Sequence, residues 1–230
     1  PPLGALYVLT HLEAKTEHEG FFTDCVAERM SYAQLRERIS EIAPDVVGVT
    51  SFTVGLVDVC MTAEIVRELF PDAHLCLGGH HPIAYPKEAA ELPQFDSIVV
   101  GEGEIVFTEL VERLSKGEDF TDIRGVYTGE SIKSHLETPI RDKRFLARVT
   151  IPSAYVDEID ELPIVDRKHI RHLKYQNILG VTDDLATILS SRGCPYQCTF
   201  CDVPIKSYRE RSAKSVVDEI EQCLEMGYRE

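Results

Sequence analysis

Between Leu3 and about Gly117, stretches with apolar residues every three or four positions alternate with short unbroken apolar runs. The first spacing marks amphipathic helices, and the second marks strands buried on both faces. SYAQLRERISEIA (31–43) sets Leu35, Ile39 and Ile42 on one stripe, with Ser31 placed as N-cap and Pro44-Asp45 as the stop. VVGVT (46–50) follows as a strand. A helix is predicted over 56–70, with Val59, Ala63, Val66 and Phe70 inward and Pro71 ending it. HLCL (74–77) and SIVV (97–100) read as the next strands, with a short helix between them starting near Pro86. GEIVFTELVERLSKG (103–117) closes the series as an amphipathic helix ending at Gly117. This alternation predicts a doubly wound α/β domain with a mostly parallel sheet. Residues 3–15 also read as helix; such a domain normally opens on a strand, so the expectation is an N-terminal truncation.

The second half is less periodic. RGVYTGESIK (124–133) predicts a hairpin turning at Gly129-Glu130. Residues 135–184, with Pro139, Pro152 and Pro163, read as a linker. LATILSSRG (185–193) reads as a buried strand running straight into the cysteine-rich SRGCPYQCTFCD (191–202). SVVDEIEQCLEMG (215–227) is a helix, with Ser215 and Asp218 in a capping arrangement and Val216, Ile220, Cys223 and Leu224 inward. Strand, loop, helix is the opening of a second α/β domain that continues past residue 230. The expected boundaries are 1–120 for the first domain, 121–184 for hairpin and linker, and 185–230 for the second.

Composition narrows the function classes. The chain has 230 residues and a net charge of −15, with no cluster of Lys and Arg to meet a phosphate backbone, so nucleic acid is not an expected partner. The longest apolar runs fall far short of the roughly 18 residues that span a bilayer, so no transmembrane segment is expected. Nor is there a signal-peptide pattern. Seven cysteines is an odd number, and three of them crowd into eight positions, which argues against a secreted disulfide scaffold and for a reducing cytoplasm.

That trio, Cys194, Cys198 and Cys201, has the spacing C-x3-C-x2-C. Thiolates are soft ligands, and three on one loop can converge on a metal centre while leaving one corner open. A structural zinc site takes four ligands, and the nearest histidines, His169 and His172, lie more than twenty residues upstream. Zinc, or merely buried thiols, is the plainer alternative. With Phe200 immediately before the third cysteine, the trio resembles the radical S-adenosylmethionine superfamily. The resemblance implies a [4Fe-4S] cluster on Cys194, Cys198 and Cys201, with S-adenosylmethionine chelating the fourth iron and the backbone near Phe200 contacting the adenine. It further implies one-electron cleavage to a 5′-deoxyadenosyl radical, an electron donor such as flavodoxin or ferredoxin, and a (β/α) barrel of which residues 185–230 are the start.

Ligands of doubly wound domains bind at the C-terminal ends of the strands. Those ends here are TSFTVG (50–55), LGGHHP (77–82) and VGEGE (100–104). Ser51 and Thr53 offer hydroxyls, Gly78 and Gly79 allow close backbone approach, and Gly101, Glu102 and Gly103 open a helix N-terminus. The same loops resemble the Rossmann-like cobalamin-binding domain fused ahead of radical S-adenosylmethionine domains, and IDELPIVDR (159–167) resembles the join. What this implies is cobalamin held by Ser51, Thr53, Gly78, Gly79, Gly101, Glu102 and Gly103, with His80 and His81 beside the corrin. The chain has no D-x-H-x-x-G motif for a histidine cobalt ligand; DAHLCLG (72–78) is one residue too long and lies at the wrong strand.

Three enzyme readings and one non-enzyme reading follow. The leading one is methylation of an unactivated carbon of a small-molecule substrate by a radical coupled to methylcobalamin. Oxidative cyclisation of the porphyrin-ester type is the close alternative. Methylthio transfer would need three further ligating cysteines, and Cys60 and Cys76 fall mid-helix and mid-strand, where core residues belong. A corrinoid-binding sensor or carrier without catalysis is the reading from a different class.

Overall fold

The computed structural model describes residues 1–137, 140–141, 149–175, 180–182, 184–196, 198–201 and 207–230. They form two compact units, one of residues 32–155 and one of residues 1–31 together with 156–230. The second unit opens with helix α1, Leu3–Lys15, and resumes only after the first is complete. The units are thus drawn differently from the expected domain boundaries, because the buried side of α1 packs on residues far along the sequence: Leu3, Leu6 and Tyr7 share one core with Val165 and Ile170.

The 32–155 unit is the alternating α/β part. Helix α2 (Tyr32–Ile42) buries Leu35 and Ile39 and leads into strand β1 (Val46–Ser51). Helix α3 (Leu56–Leu69) crosses to strand β2 (His74–Gly79), and two five-residue helices, α4 (His80–Ala84) and α5 (Pro86–Ala90), reach strand β3 (Ser97–Val99). Helix α6 (Gly103–Lys116) then returns the chain to strand β4 (Val126–Tyr127). The sheet order is β1-β2-β3-β4, parallel except for an antiparallel β3–β4 pair. Cys76, Val99, Leu110, Ile123 and Val126 form the core between sheet and α6. Burial pushes the Cys76 thiol up to about 12, against an opposing hydrogen bond from Ser97, so it stays a neutral, apolar core residue.

At the opposite edge of the sheet from the strand C-termini, polar groups knit the strand starts. Asp96 accepts from the Leu75 backbone N–H at 2.8 Å, Arg67 donates to the carbonyls of Ala73 and Gln94, and His74 Nε2 sits 2.8 Å from Ser97 Oγ. These buried backbone groups lie outside the ladder and need such partners.

No hairpin turns at Gly129-Glu130. Val126–Tyr127 pairs with β3 instead, and the next residues form helix α7 (Ser131–Glu137). Thr128 Oγ1 accepts from the Ser131 N–H at 3.0 Å and Ser131 Oγ accepts from the Thr128 N–H at 2.9 Å, a reciprocal cap that starts a helix where the Gly-Glu pair suggested a turn. Strands β5 (Ile140–Arg141) and β6 (Val149–Thr150) pair antiparallel, and Pro139 lies outside the described residues.

In the other unit, the expected strand 185–193 shrinks to β7 (Ser191–Arg192), antiparallel to β8 (Arg209–Glu210), because arginine donors take the backbone acceptors ahead of it. Helix α8 (Ala213–Glu225) begins two residues before the expected start, with Ser212 as N-cap accepting from the Ser215 N–H at 3.2 Å. Its inward face is also corrected. Glu219 and Cys223 are buried, whereas Ile220 and Leu224 are 41% and 54% exposed. A carboxylate paired with two guanidinium groups occupies the space that apolar side chains were expected to fill.

Candidate functional site

Strands β1 and β2 end level with each other, since Ser51 and Gly79 are register partners. Ser51 is buried and donates to the Gly78 carbonyl at 3.4 Å, so its hydroxyl joins the two strand ends. Thr53 opens a short 3-10 turn and places Oγ1 3.1 Å from His81 Nδ1. His81 is fully buried, and its Nε2 has no partner among the described residues. His80 is exposed, with its ring stacked on Phe52 at 4.8 Å between centroids.

The glycines divide into two kinds. Gly79 has φ of +91°, and a Cβ there would lie 2.6 Å from Thr50 Oγ1 and 2.7 Å from the Ser51 backbone. Gly101, at φ +112°, is closed by the protein itself, since a Cβ would meet the Ala154 carbonyl oxygen at 2.2 Å. Ala154 is bonded there through its N–H to the Val100 carbonyl at 2.8 Å and through its carbonyl to the Glu102 N–H at 3.2 Å. Gly101 therefore has a structural reason independent of any ligand, and Gly103 begins α6. Gly78, by contrast, has its nearest foreign atom at 4.0 Å, and its face is open.

Around these strand ends, large apolar side chains stay in solvent: Phe52, Val54, Val57, Met61, Tyr85 and Ile105. Sequence reasoning missed this rim and the Thr53–His81 pair. The run FTVGLV, apolar at a strand end where polar loop residues are usual, was the available signal.

In the other unit, Cys194 and Cys201 are half-buried and Cys198 is exposed, and all seven cysteines of the chain are free thiols. The Cys201 N–H donates to the Cys198 carbonyl at 3.1 Å. Phe200 is 90% exposed. Among the described residues no three ligating side chains come together as a metal site, and Gln197, inside the loop, lies outside that set.

Residues 1–111 match the family model described as B12 binding domain. Over 96% of its length the chain is 30% identical to an uncharacterized methyltransferase of Pyrococcus horikoshii, and over 96% it is 31% identical to the anaerobic magnesium-protoporphyrin IX monomethyl ester cyclase of Rubrivivax gelatinosus. In fold it is similar to the radical S-adenosylmethionine methyltransferase TsrM of Kitasatospora setae, solved with cobalamin and a [4Fe-4S] cluster, at a TM-score of 0.70, 23% identity and 99% coverage of this chain. The chain is thus similar over nearly its whole length to a methyltransferase and a cyclase, and its first 111 residues match a B12 binding domain. It spans less than half the length of these relatives: 45%, 38% and 43% respectively.

Two features of the chain bear on cobalamin. An open glycine face at Gly78 beside exposed Phe52, Val54 and Val57 suits a broad, partly apolar ring, and Nε2 of His81 is a buried polar group without a partner among the described residues. For the cluster, the donor chemistry fits, with three free thiols on one loop and none committed to a disulfide. Gathering them would be a step for metal binding itself to drive, since ligand loops commonly fold on their metal.

Proposed function

We propose that the full protein is a cobalamin-dependent radical S-adenosylmethionine enzyme that methylates an unactivated carbon of a small molecule. The observation that carries this reading is the presence, on one chain, of the C-x3-C-x2-C thiol loop and of a doubly wound unit whose strand ends carry an open glycine face with an apolar rim. Cys194, Cys198 and Cys201 hold the cluster. Ser51, Thr53, Gly78, Gly79 and His80 frame the corrin, Gly101, Glu102 and Gly103 border it, and the backbone near Phe200 receives the adenine. When bound, the cluster with S-adenosylmethionine supplies one-electron hydrogen abstraction, and cobalamin supplies the methyl group. The chain's own work is to hold these groups and keep water from the reacting centre, for which Phe52, Val54 and Val57 are suited. The working compartment is a reducing cytoplasm, with a flavodoxin or ferredoxin as electron donor.

Oxidative cyclisation is the second reading, favoured by the 31% identity to the Rubrivivax cyclase. Both rest on the same cofactors and separate by product. The full-length protein, reconstituted anaerobically with iron, sulfide and hydroxocobalamin, should show a reduced cluster signal by EPR that shifts on adding S-adenosylmethionine, and should retain about one cobalamin per chain. Cys194→Ala should abolish the cluster signal and leave cobalamin in place. Retained cobalamin without any cluster signal in the wild type would leave a corrinoid carrier and sink the radical mechanism.

A further inference from the structure

The segment leading to Cys194 is held by side chains more than by a sheet. The Thr187 carbonyl accepts from Arg167 Nη2 at 2.8 Å, the Leu189 carbonyl from Arg211 Nη1 at 3.0 Å, and the Ser190 carbonyl from the Arg211 backbone N–H at 2.9 Å. Both guanidinium groups converge on one carboxylate: Arg167 Nη2 bonds Glu219 Oε1 and Arg211 Nη1 bonds Glu219 Oε2. Glu219 is 0% exposed and Arg167 1%, so this is a buried cluster of two cations and one anion. Arg211 is braced again by Ser215, through Nε to Oγ at 3.1 Å and through Nη2 to the carbonyl at 3.0 Å. Just before the loop, the Arg192 guanidinium lies 4.8 Å over the Tyr7 ring.

A buried ion cluster is a poor device for stability, because desolvating the charges offsets most of their attraction, and apolar residues of like volume often serve as well or better. What such a cluster supplies that apolar residues lack is direction. Each guanidinium gives a bond to Glu219 and a bond to a backbone carbonyl of this segment, so the carboxylate aims the two cations at Thr187 and Leu189, ahead of Cys194. We propose that Arg167, Glu219 and Arg211 are positioning residues for the three-cysteine loop, setting where the first thiolate is presented to the cluster. This rests on the assignment of a cluster to Cys194, Cys198 and Cys201.

The test is made on the full-length protein, reconstituted with iron and sulfide, with iron per chain and the S-adenosylmethionine-induced EPR shift as readouts. The triple variant Arg167→Met, Glu219→Leu, Arg211→Met fills the same volume without charge and should fold at least as stably, by the melting temperature. It should bind cobalamin normally yet hold iron roughly tenfold more weakly against a chelator, the scale typical of groups that orient metal ligands, and lose the shift. Arg211→Lys keeps the charge but loses the Nε and Nη2 bonds to Ser215 that fix the guanidinium; it should fall between wild type and the triple variant in both readouts. Wild-type iron retention together with an unchanged shift in either folded variant overturns the proposal. A wild type that takes up no iron would instead overturn the cluster assignment itself, so the two failures are distinguishable.

Discussion

At the scale of single residues, the site is bounded by what a single methyl group would collide with. Gly79 combines a positive φ with a backbone neighbour 2.7 Å from any Cβ, so Gly79→Ala should destabilise the 32–155 unit by about 1–3 kcal/mol, seen as a lower melting temperature. Gly78→Ala meets only ordinary contact, so it should melt like wild type while binding cobalamin more weakly in a spectroscopic titration. The pair separates a glycine needed by the fold from one needed by the ligand. His74 gives the unit a pH dependence. Burial lowers its imidazolium from the ordinary 6.5, with Asp96 pulling back and Arg67 adding to the fall. The unfolded chain therefore binds that proton more readily, and stability rises with pH across the window between the two values. The linked stability is whole above 6.5 and is lost as the pH falls toward the folded value. His74→Gln should flatten the melting temperature between about pH 7 and pH 5 relative to wild type.

At the scale of elements, legibility followed how local the cause was. Helices α2, α3 and α6 were readable because their stripes and their Pro or Gly stops lie within or directly beside the segment itself. The α7 helix was missed because its start depends on a two-way exchange between Thr128 and Ser131, which overrode a Gly-Glu turn signal. The strand ahead of Cys194 was over-read for the opposite reason: its apolar run is continuous, but Arg167, twenty residues upstream of Thr187, claims a carbonyl that a strand neighbour would use. The face of α8 was misassigned because Glu219 pairs with a residue 52 positions away, a fact no periodicity carries. The cysteine spacing was legible outright, whereas the Thr53–His81 pair depends on β1 and β2 ending level. Ser212 was passed over as the α8 cap in favour of Ser215. Ser212→Ala should cost about 1 kcal/mol in chemical denaturation, and Asp218→Ala, which holds no cap, much less.

At the scale of the whole molecule, two chemistries are laid out on two compact units, the glycine-lined strand ends on residues 32–155 and the thiol loop on the other. The net charge of −15 belongs to a surface of acidic side chains, and among the described residues no helix is long and apolar enough to cross a membrane. The thiol-bearing unit is built from two stretches, residues 1–31 and 156–230, on either side of the other unit. That arrangement sets an order of events during synthesis. Leu3, Leu6 and Tyr7 leave the ribosome before the 32–155 unit, yet Val165 and Ile170, the residues that cover them, are made only after that entire unit has emerged. At translation rates of roughly 5–20 residues per second, the apolar side of the first helix waits on the order of ten seconds for its partners. The unit inserted in the middle can finish folding in that interval, and the waiting helix α1 is then a natural client for a chaperone.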